Sequence, residues 1–194
     1  MEQKLPHNTE ISASRQLKIE ECLLRKMEST PYDRISITDL CRQMGISRQL
    51  FYTYFPDKDA CLHSLIDRLL QDSIDEMYFS SYRDNLYDVS VSYLSYWRKH
   101  SDFLDVIVRQ QMKSLVVERN YLYFKKHYRD MILMYLSTPD VEADESILWL
   151  YNVIRFITLM QWHESGYALP VEKMATKYLR ILKEPLLKDD QQWA

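Results

Sequence analysis

The sequence predicts an all-α protein with a small N-terminal bundle and a larger helical remainder. Three observations carry this. Only 2 glycines and 6 prolines stand among 194 residues, too few for the closely spaced turns of barrels and sandwiches or for Gly-rich phosphate loops. Apolar residues recur at helical spacing over most of the chain. Gly45, one of the two glycines, separates two short amphipathic segments at a point where a helix must stop and the backbone reverse.

Each element follows from local signals. Residues 1–13 read as a flexible tail, since they carry no apolar stretch of signal-peptide length. From Ser14, the residues Leu17, Cys22, Leu23, Leu24 and Met27 mark a first helix, closed by Ser29-Thr30-Pro31. Ser36 stands three residues before Asp39, with Ile35 ahead of it and Leu40 after it. That is a variant capping box with a hydrophobic staple, so a second helix should run to about Met44. Ser47 caps a third helix, Arg48 to about Phe55, which Pro56-Asp57 ends. A fourth then shows Leu62, Leu65, Ile66, Leu69 and Leu70 in one stripe. These helices make a domain over 14–68. A second domain, 69–187, should hold helices near Leu86 to His100, Ser101 to Gln111, Glu118 to Leu136, Glu145 to Ser165 and Val171 to Leu187. Residues 188–194 read as a tail.

Composition excludes several functions. Lys plus Arg number 25 against 28 Asp plus Glu, a net charge of −3, so bulk charge does not draw the molecule to nucleic acid or anionic lipid. The longest apolar run, Ile147 to Met160, is too short and too polar for a bilayer span, and no membrane association is expected. Cys22, Cys41 and Cys61 are odd in number and widely spaced. They fit packed thiols in a reducing cytoplasm better than a disulfide framework or a metal knuckle. His7, His63, His100, His127 and His163 are dispersed, without metal-binding or nucleophile spacing. His163 reads as a surface or interface residue. Neither an enzyme nor a cofactor nor a metal site is expected.

The span Ser36 to Phe55 has the form of a helix-turn-helix. With Phe51 taken as the buried direction, 100° per residue puts Phe55 beside it, turns Gln49 and Thr53 roughly away, and leaves Leu50 and Tyr52 at the flanks. Such a face suits a major groove. Gln49 can pair with adenine, Arg48 bidentately with guanine, and Thr53 or Leu50 can touch a thymine methyl. Thr38, Ser47, Tyr52, Tyr54 and Lys58 are the candidate phosphate contacts. Charge helps only locally, with Arg34, Arg42, Arg48 and Lys58 against Asp39 and Asp57 over residues 34–58.

The run Gly45-Ile46-Ser47-Arg48, then Phe51-Tyr52-x-Tyr54-Phe55, then Lys58 and Leu62, resembles the N-terminal domain of the TetR family of bacterial transcription regulators. Leu50 departs from that pattern, where a small or hydroxylated residue is commoner. The resemblance implies a homodimer whose paired N-terminal domains bind a palindromic double-stranded DNA operator. It further implies a C-terminal ligand-binding and dimerisation domain, and repression relieved by a small-molecule effector.

The second domain bears on these implications. The helix from Glu145 has two apolar rows, Ile147, Leu150, Ile154, Ile157 and Trp149, Val153, Phe156, Met160, and so needs two burial partners. One can be a second subunit, with Met174, Tyr178 and Ile181 of the next helix joining Ile147, Leu150 and Ile154 at the interface. Residues 71–194 hold 20 of the 25 aromatics. Tyr93, Trp97, Tyr128 and Phe156 are the candidates to line a ligand pocket. The alternatives are an activator, a regulator controlled by a protein partner, and a helical protein–protein adaptor that binds no DNA.

Overall fold

The computed structural model describes residues 9–80, 86–127 and 145–183, and over these residues every regular element is helical. In chain order they are α1 Thr9–Met27, α2 Ile37–Met44, α3 Arg48–Tyr54, α4 Lys58–Ser80, α5 Leu86–Lys99, α6 Ser101–Arg109, α7 Lys113–His127, α8 Glu145–Glu164 and α9 Val171–Lys183, with a short 3-10 turn at Tyr32–Arg34. The chain divides into two compact units. One is Met1–Leu69 with Asp105–Met112, and the other is Leu70–Leu104 with Lys113–Ala194.

Two helices start earlier than expected. Helix α1 begins at Thr9, inside the stretch read as a tail, because Thr9 to Ser14, with Ile11 and Ala13 as its apolar residues, is too short to show an apolar period yet includes no breaker. Helix α7 begins at Lys113, not near Glu118, since Leu115-Val116-Val117 is an apolar run without helical periodicity in a segment that nevertheless coils. The stretches read as the helix end near Leu136 and as the tail from 188 lie outside the described residues.

In the first unit, Ile19, Cys22, Leu23 and Met27 of α1 are buried, together with Leu40, Phe51, Phe55 and the α4 stripe Leu62, Leu65, Ile66, Leu69. All three thiols are buried, and burial foremost pushes each above the usual thiol range. One polar group enters this core. Glu20 accepts hydrogen bonds from Arg68 Nε at 2.7 Å, Ser64 Oγ at 2.7 Å and Gln16 Nε2 at 3.4 Å, tying α1 to α4. A carboxylate withdrawn from water is tolerable only when its oxygens are saturated in this way.

The segment Asp105–Met112 belongs to this unit and closes the end of α1. Val106 and Ile107 are buried. The Gln110 side-chain amide donates to the carbonyls of Met27 at 2.5 Å and Thr30 at 2.9 Å, and its oxygen accepts the Tyr32 N–H at 2.9 Å. The last carbonyls of a helix lack intrahelical partners, and here a side chain from about 80 residues away supplies them.

In the second unit, α9 packs on α5 and α7 on α8. The buried set includes Tyr93, Leu94, Tyr96 and Trp97 of α5, Phe156, Leu159 and Met160 of α8, and Met174, Ala175, Tyr178 and Leu179 of α9. This corrects part of the expected dimer interface. Met174 and Tyr178 are only 3% and 4% exposed because α9 lays its apolar row on α5 of the same chain. The outer face of α9 carries Glu172, Lys173, Thr176, Lys177 and Arg180. His163, expected at the surface or at an interface, is likewise buried within its own unit. Its Nδ1 lies 2.8 Å from the Tyr167 hydroxyl, across a turn that Gly166 and Tyr167 make with positive φ.

Candidate nucleic-acid interface

The geometry of the helix-turn-helix is set by its caps. Ser36 Oγ accepts the Asp39 N–H at 3.1 Å and donates to Asp39 Oδ2 at 2.6 Å, so α2 starts where the box predicts. The Ser36 hydroxyl foremost, with Arg42 assisting, holds the Asp39 carboxyl below the usual carboxylate range. At the other end Gly45 adopts φ +65°, its N–H bonds back into α2, and the Ile46 N–H reaches the Cys41 carbonyl at 3.0 Å. This left-handed cap reverses the chain. Ser47 Oγ then accepts the Leu50 N–H at 3.1 Å and opens α3. Asp57 Oδ1 caps α4 through the Ala60 N–H at 2.7 Å.

Phe51 anchors α3. Its ring is fully buried and meets Tyr52 edge-on and Phe55 at a tilt, with centroids 5.8 and 5.9 Å away. Burying a phenylalanine contributes roughly 2–3 kcal/mol. The remainder of the helix is thereby turned outward: Arg48, Gln49, Tyr52 and Thr53 are exposed. Arg48 donates to the Tyr52 hydroxyl at 3.3 Å, and Thr53 Oγ1 donates to the Gln49 carbonyl at 3.1 Å. Both side chains are held along the helix, and the Gln49 amide projects without a competing bond among the described residues. Thr38 is exposed on α2, and the Ser47 hydroxyl keeps its proton free to donate.

Three of the candidate contact residues, Leu50, Tyr54 and Lys58, are only partly exposed. Leu50 and Tyr54 are half-buried, one turn apart, and with Ile19 and Ile46 wall a half-open cleft of about 230 Å³. The Leu50 side chain thus belongs largely to the protein's own surface packing. Lys58 is the third. Its ammonium donates to the carbonyls of Tyr32 at 2.7 Å and Ile35 at 3.0 Å and lies 4.0 Å from the centre of the Tyr32 ring. Two of its three N–H donors thus fix the loop before α2. Burial first, then a hydrogen bond to Asp59, pushes the Tyr32 hydroxyl well above the usual phenol range.

The same cleft brings in two cations that the linear motif did not suggest. Arg15 and Lys18 of α1 border it beside Leu50 and Tyr54, and both are exposed. Their three-residue spacing on one helix face was the available signal. Nothing in the sequence alone placed that face next to α3.

Residues 24–65 match the model of the family described as bacterial regulatory proteins, tetR family. The N-terminal unit contains a TetR-family domain. This TetR-type segment is 49% identical over 47 residues to the HTH-type transcriptional regulator EthR of Mycolicibacterium smegmatis, covering 24% of this chain and 22% of that protein. The match therefore spans about a fifth of the length of the curated relative. Beyond the TetR-type segment the likeness is one of fold. A solved Syntrophomonas wolfei protein assigned to the TetR family superposes with a TM-score of 0.68 at 19% identity, over 92% of this chain and 99% of that one. Thermus thermophilus FadR, a TetR-family transcriptional repressor solved with lauroyl-CoA, does so with a TM-score of 0.51 at 14% identity, over 92% and 98%.

The residues nominated in the second unit fall into two groups. Tyr93 and Trp97 pack together, with ring centroids 6.4 Å apart, and Phe156 is buried. Tyr128 lies outside the described residues, as does the side chain of Ile147. On α8 Leu150 is 57% exposed and Ile157 40% exposed, with Ile154 half-buried between them; Ile181 of α9 is half-buried. No described helix is long and apolar enough to cross a membrane.

Proposed function

We propose that this chain is a DNA-binding transcription regulator that reads an operator through α3. The observation that carries the reading is the outward face of α3, with Arg48, Gln49, Tyr52 and Thr53 exposed on a helix fixed at both ends by caps and beneath by Phe51. Arg48 and Gln49 supply base contacts, with Thr53 and the exposed edge of Leu50 beside them. Thr38, Ser47, Tyr52 and Tyr54 position the helix on the phosphates, and Arg15 and Lys18 add cations. Lys58, half-exposed at the start of α4, keeps one N–H donor for the same phosphate backbone.

The regulator acts as a homodimer on a palindromic site. Leu150, Ile154 and Ile157 form one apolar stripe on α8 that its own unit leaves partly open, which favours a second copy of the same face. It represses by occupying its operator, and a small effector in the second unit releases it, as the ligand-bound state of the Thermus thermophilus repressor makes reasonable for this fold. Selection from random duplex DNA with the full chain should return a two-fold symmetric sequence. Failure to enrich any sequence at low salt, or enrichment that Arg48→Ala and Gln49→Ala together leave unchanged, sinks the reading. Sedimentation of Leu150→Glu and Ile157→Glu variants tests the dimer: both should shift to monomer.

A further inference from the structure

The interior of the second unit holds an arginine whose charge is not matched among the described residues. Arg155 of α8 is only 5% exposed. One guanidinium nitrogen, NH2, donates to Asn120 Oδ1 at 3.0 Å, while its Nε is buried with no hydrogen-bond partner. Among the described residues no carboxylate lies within ion-pair distance of it. Its neighbours are aromatic: the guanidinium carbon lies 3.9 Å from the centre of the Phe124 ring and 4.4 Å from that of Tyr93. Two rings temper a buried cation by their quadrupoles but do not replace an anion.

A second observation points the same way. Trp97, packed on Tyr93, has a buried Nε1–H without an acceptor, and Asn152, one turn before Arg155, spends its Nδ2 on the Val117 carbonyl at 3.1 Å while its Oδ1 is unpartnered. Around this guanidinium, Arg155 Nε–H and Trp97 Nε1–H are thus two buried donors without acceptors, one of them charged, against one acceptor without a donor, Asn152 Oδ1. Buried polar groups are almost always satisfied, and a surplus of donors around a cation is the complement of an anionic, acceptor-rich ligand. Burial pushes the Tyr93 hydroxyl up to about 12 despite the opposing pull of Arg155, so that phenol remains a neutral donor.

We propose that the second unit binds a small organic carboxylate with an apolar body, its carboxylate on Arg155 and its body against Tyr93, Trp97 and Phe124. This rests on the effector reading above and gives that effector its chemical class. A neutral molecule of the same shape leaves the guanidinium unmatched, so discrimination should come from charge and not from size. A charge-assisted pair in a buried site is worth at least about tenfold in affinity over its neutral counterpart.

The test uses the full chain and three matched pairs of probes: benzoate with benzamide, 2-naphthoate with 2-naphthamide, and decanoate with decanamide. Calorimetric titration and thermal shift are run on wild type, Arg155→Gln and Arg155→Lys, with tryptophan fluorescence confirming that each variant is folded. At least one carboxylate should bind ten times or more tightly than its amide. Arg155→Gln should abolish that preference and Arg155→Lys should keep part of it. Equal binding of acid and amide, an acid preference that survives Arg155→Gln, or no binding by any of the three acids overturns the proposal. DNA binding is measured in parallel by gel-shift. A carboxylate that binds through Arg155 without altering DNA binding upholds the site and removes the effector reading. A chain that binds DNA but none of the acids loses the site alone.

Discussion

Replacing Gly45 tests whether a single backbone conformation orients the recognition helix. Gly45 has φ +65°, and a Cβ built there meets nothing within 4 Å. Any penalty for alanine therefore comes from the left-handed backbone itself and not from collision. That conformation costs an L-residue roughly 1–2 kcal/mol, less for asparagine, whose short polar side chain tolerates it, and more for a β-branched residue. The expected order of stability in the first unit is wild type, then Gly45→Asn, then Gly45→Ala, then Gly45→Val. All four tryptophans, Trp97, Trp149, Trp162 and Trp193, lie outside that unit, so fluorescence would miss the effect. Amide hydrogen exchange over residues 37–55 reads it directly. Alanine should reduce protection there by about five- to thirtyfold, the equilibrium ratio that 1–2 kcal/mol represents, and leave α8 and α9 unchanged. Operator affinity should fall in the same order. Protection in the alanine variant equal to wild type, or greater than in the asparagine variant, would refute the claim that the φ value sets the cost.

Three further outcomes are expected. Arg48→Ala should cost about 1–3 kcal/mol of operator affinity and relax preference at one base position, whereas Arg15→Ala or Lys18→Ala should weaken all sequences alike and lower the salt dependence by about one ion; competition gel-shifts across salt concentrations separate the two. Glu20→Ala strips the buried carboxylate from Arg68, Ser64 and Gln16 and should destabilise by about 3–5 kcal/mol in urea denaturation followed by circular dichroism, with Glu20→Gln milder because it keeps an acceptor. Tyr93, raised to about 12 chiefly by burial, binds its proton more tightly folded than unfolded. Its contribution is therefore complete below about pH 10 and lost as pH rises toward 12; Tyr93→Phe should lessen the fall in stability in that window and leave the rest of the profile unchanged, as pH-jump melting curves would show.

The residues themselves specified much of the candidate interface. Ser36, Gly45, Ser47 and Asp57 act within four residues of their partners, so the stops and starts of α2, α3 and α4 can be read from neighbours in sequence. Phe51 fixes which side of α3 is outward for the same reason: a helix seven residues long has only one way to bury that ring. The true starts of α1 and α7 are not legible in the sequence because short or aperiodic stretches coil without a local signal.

Other decisions belong to the tertiary structure. The Lys58 motif position looks like a phosphate contact, and only the fold shows that two carbonyls from the preceding loop also engage its ammonium. Arg15 and Lys18 reach the interface only because α1 borders the cleft that Leu50 and Tyr54 wall. Met174 and Tyr178 form an amphipathic row in any case; whether that row faces a partner or α5 depends on helix packing that periodicity leaves open. Gln110 closes α1 across 83 residues, and Arg155 becomes a buried cation beside Tyr93 and Phe124 by convergence of three helices. Local free energies select where helices begin, end and turn their apolar sides. Which of those sides meet, and which charges are thereby trapped or released, is decided by contacts between segments that have no common period along the chain.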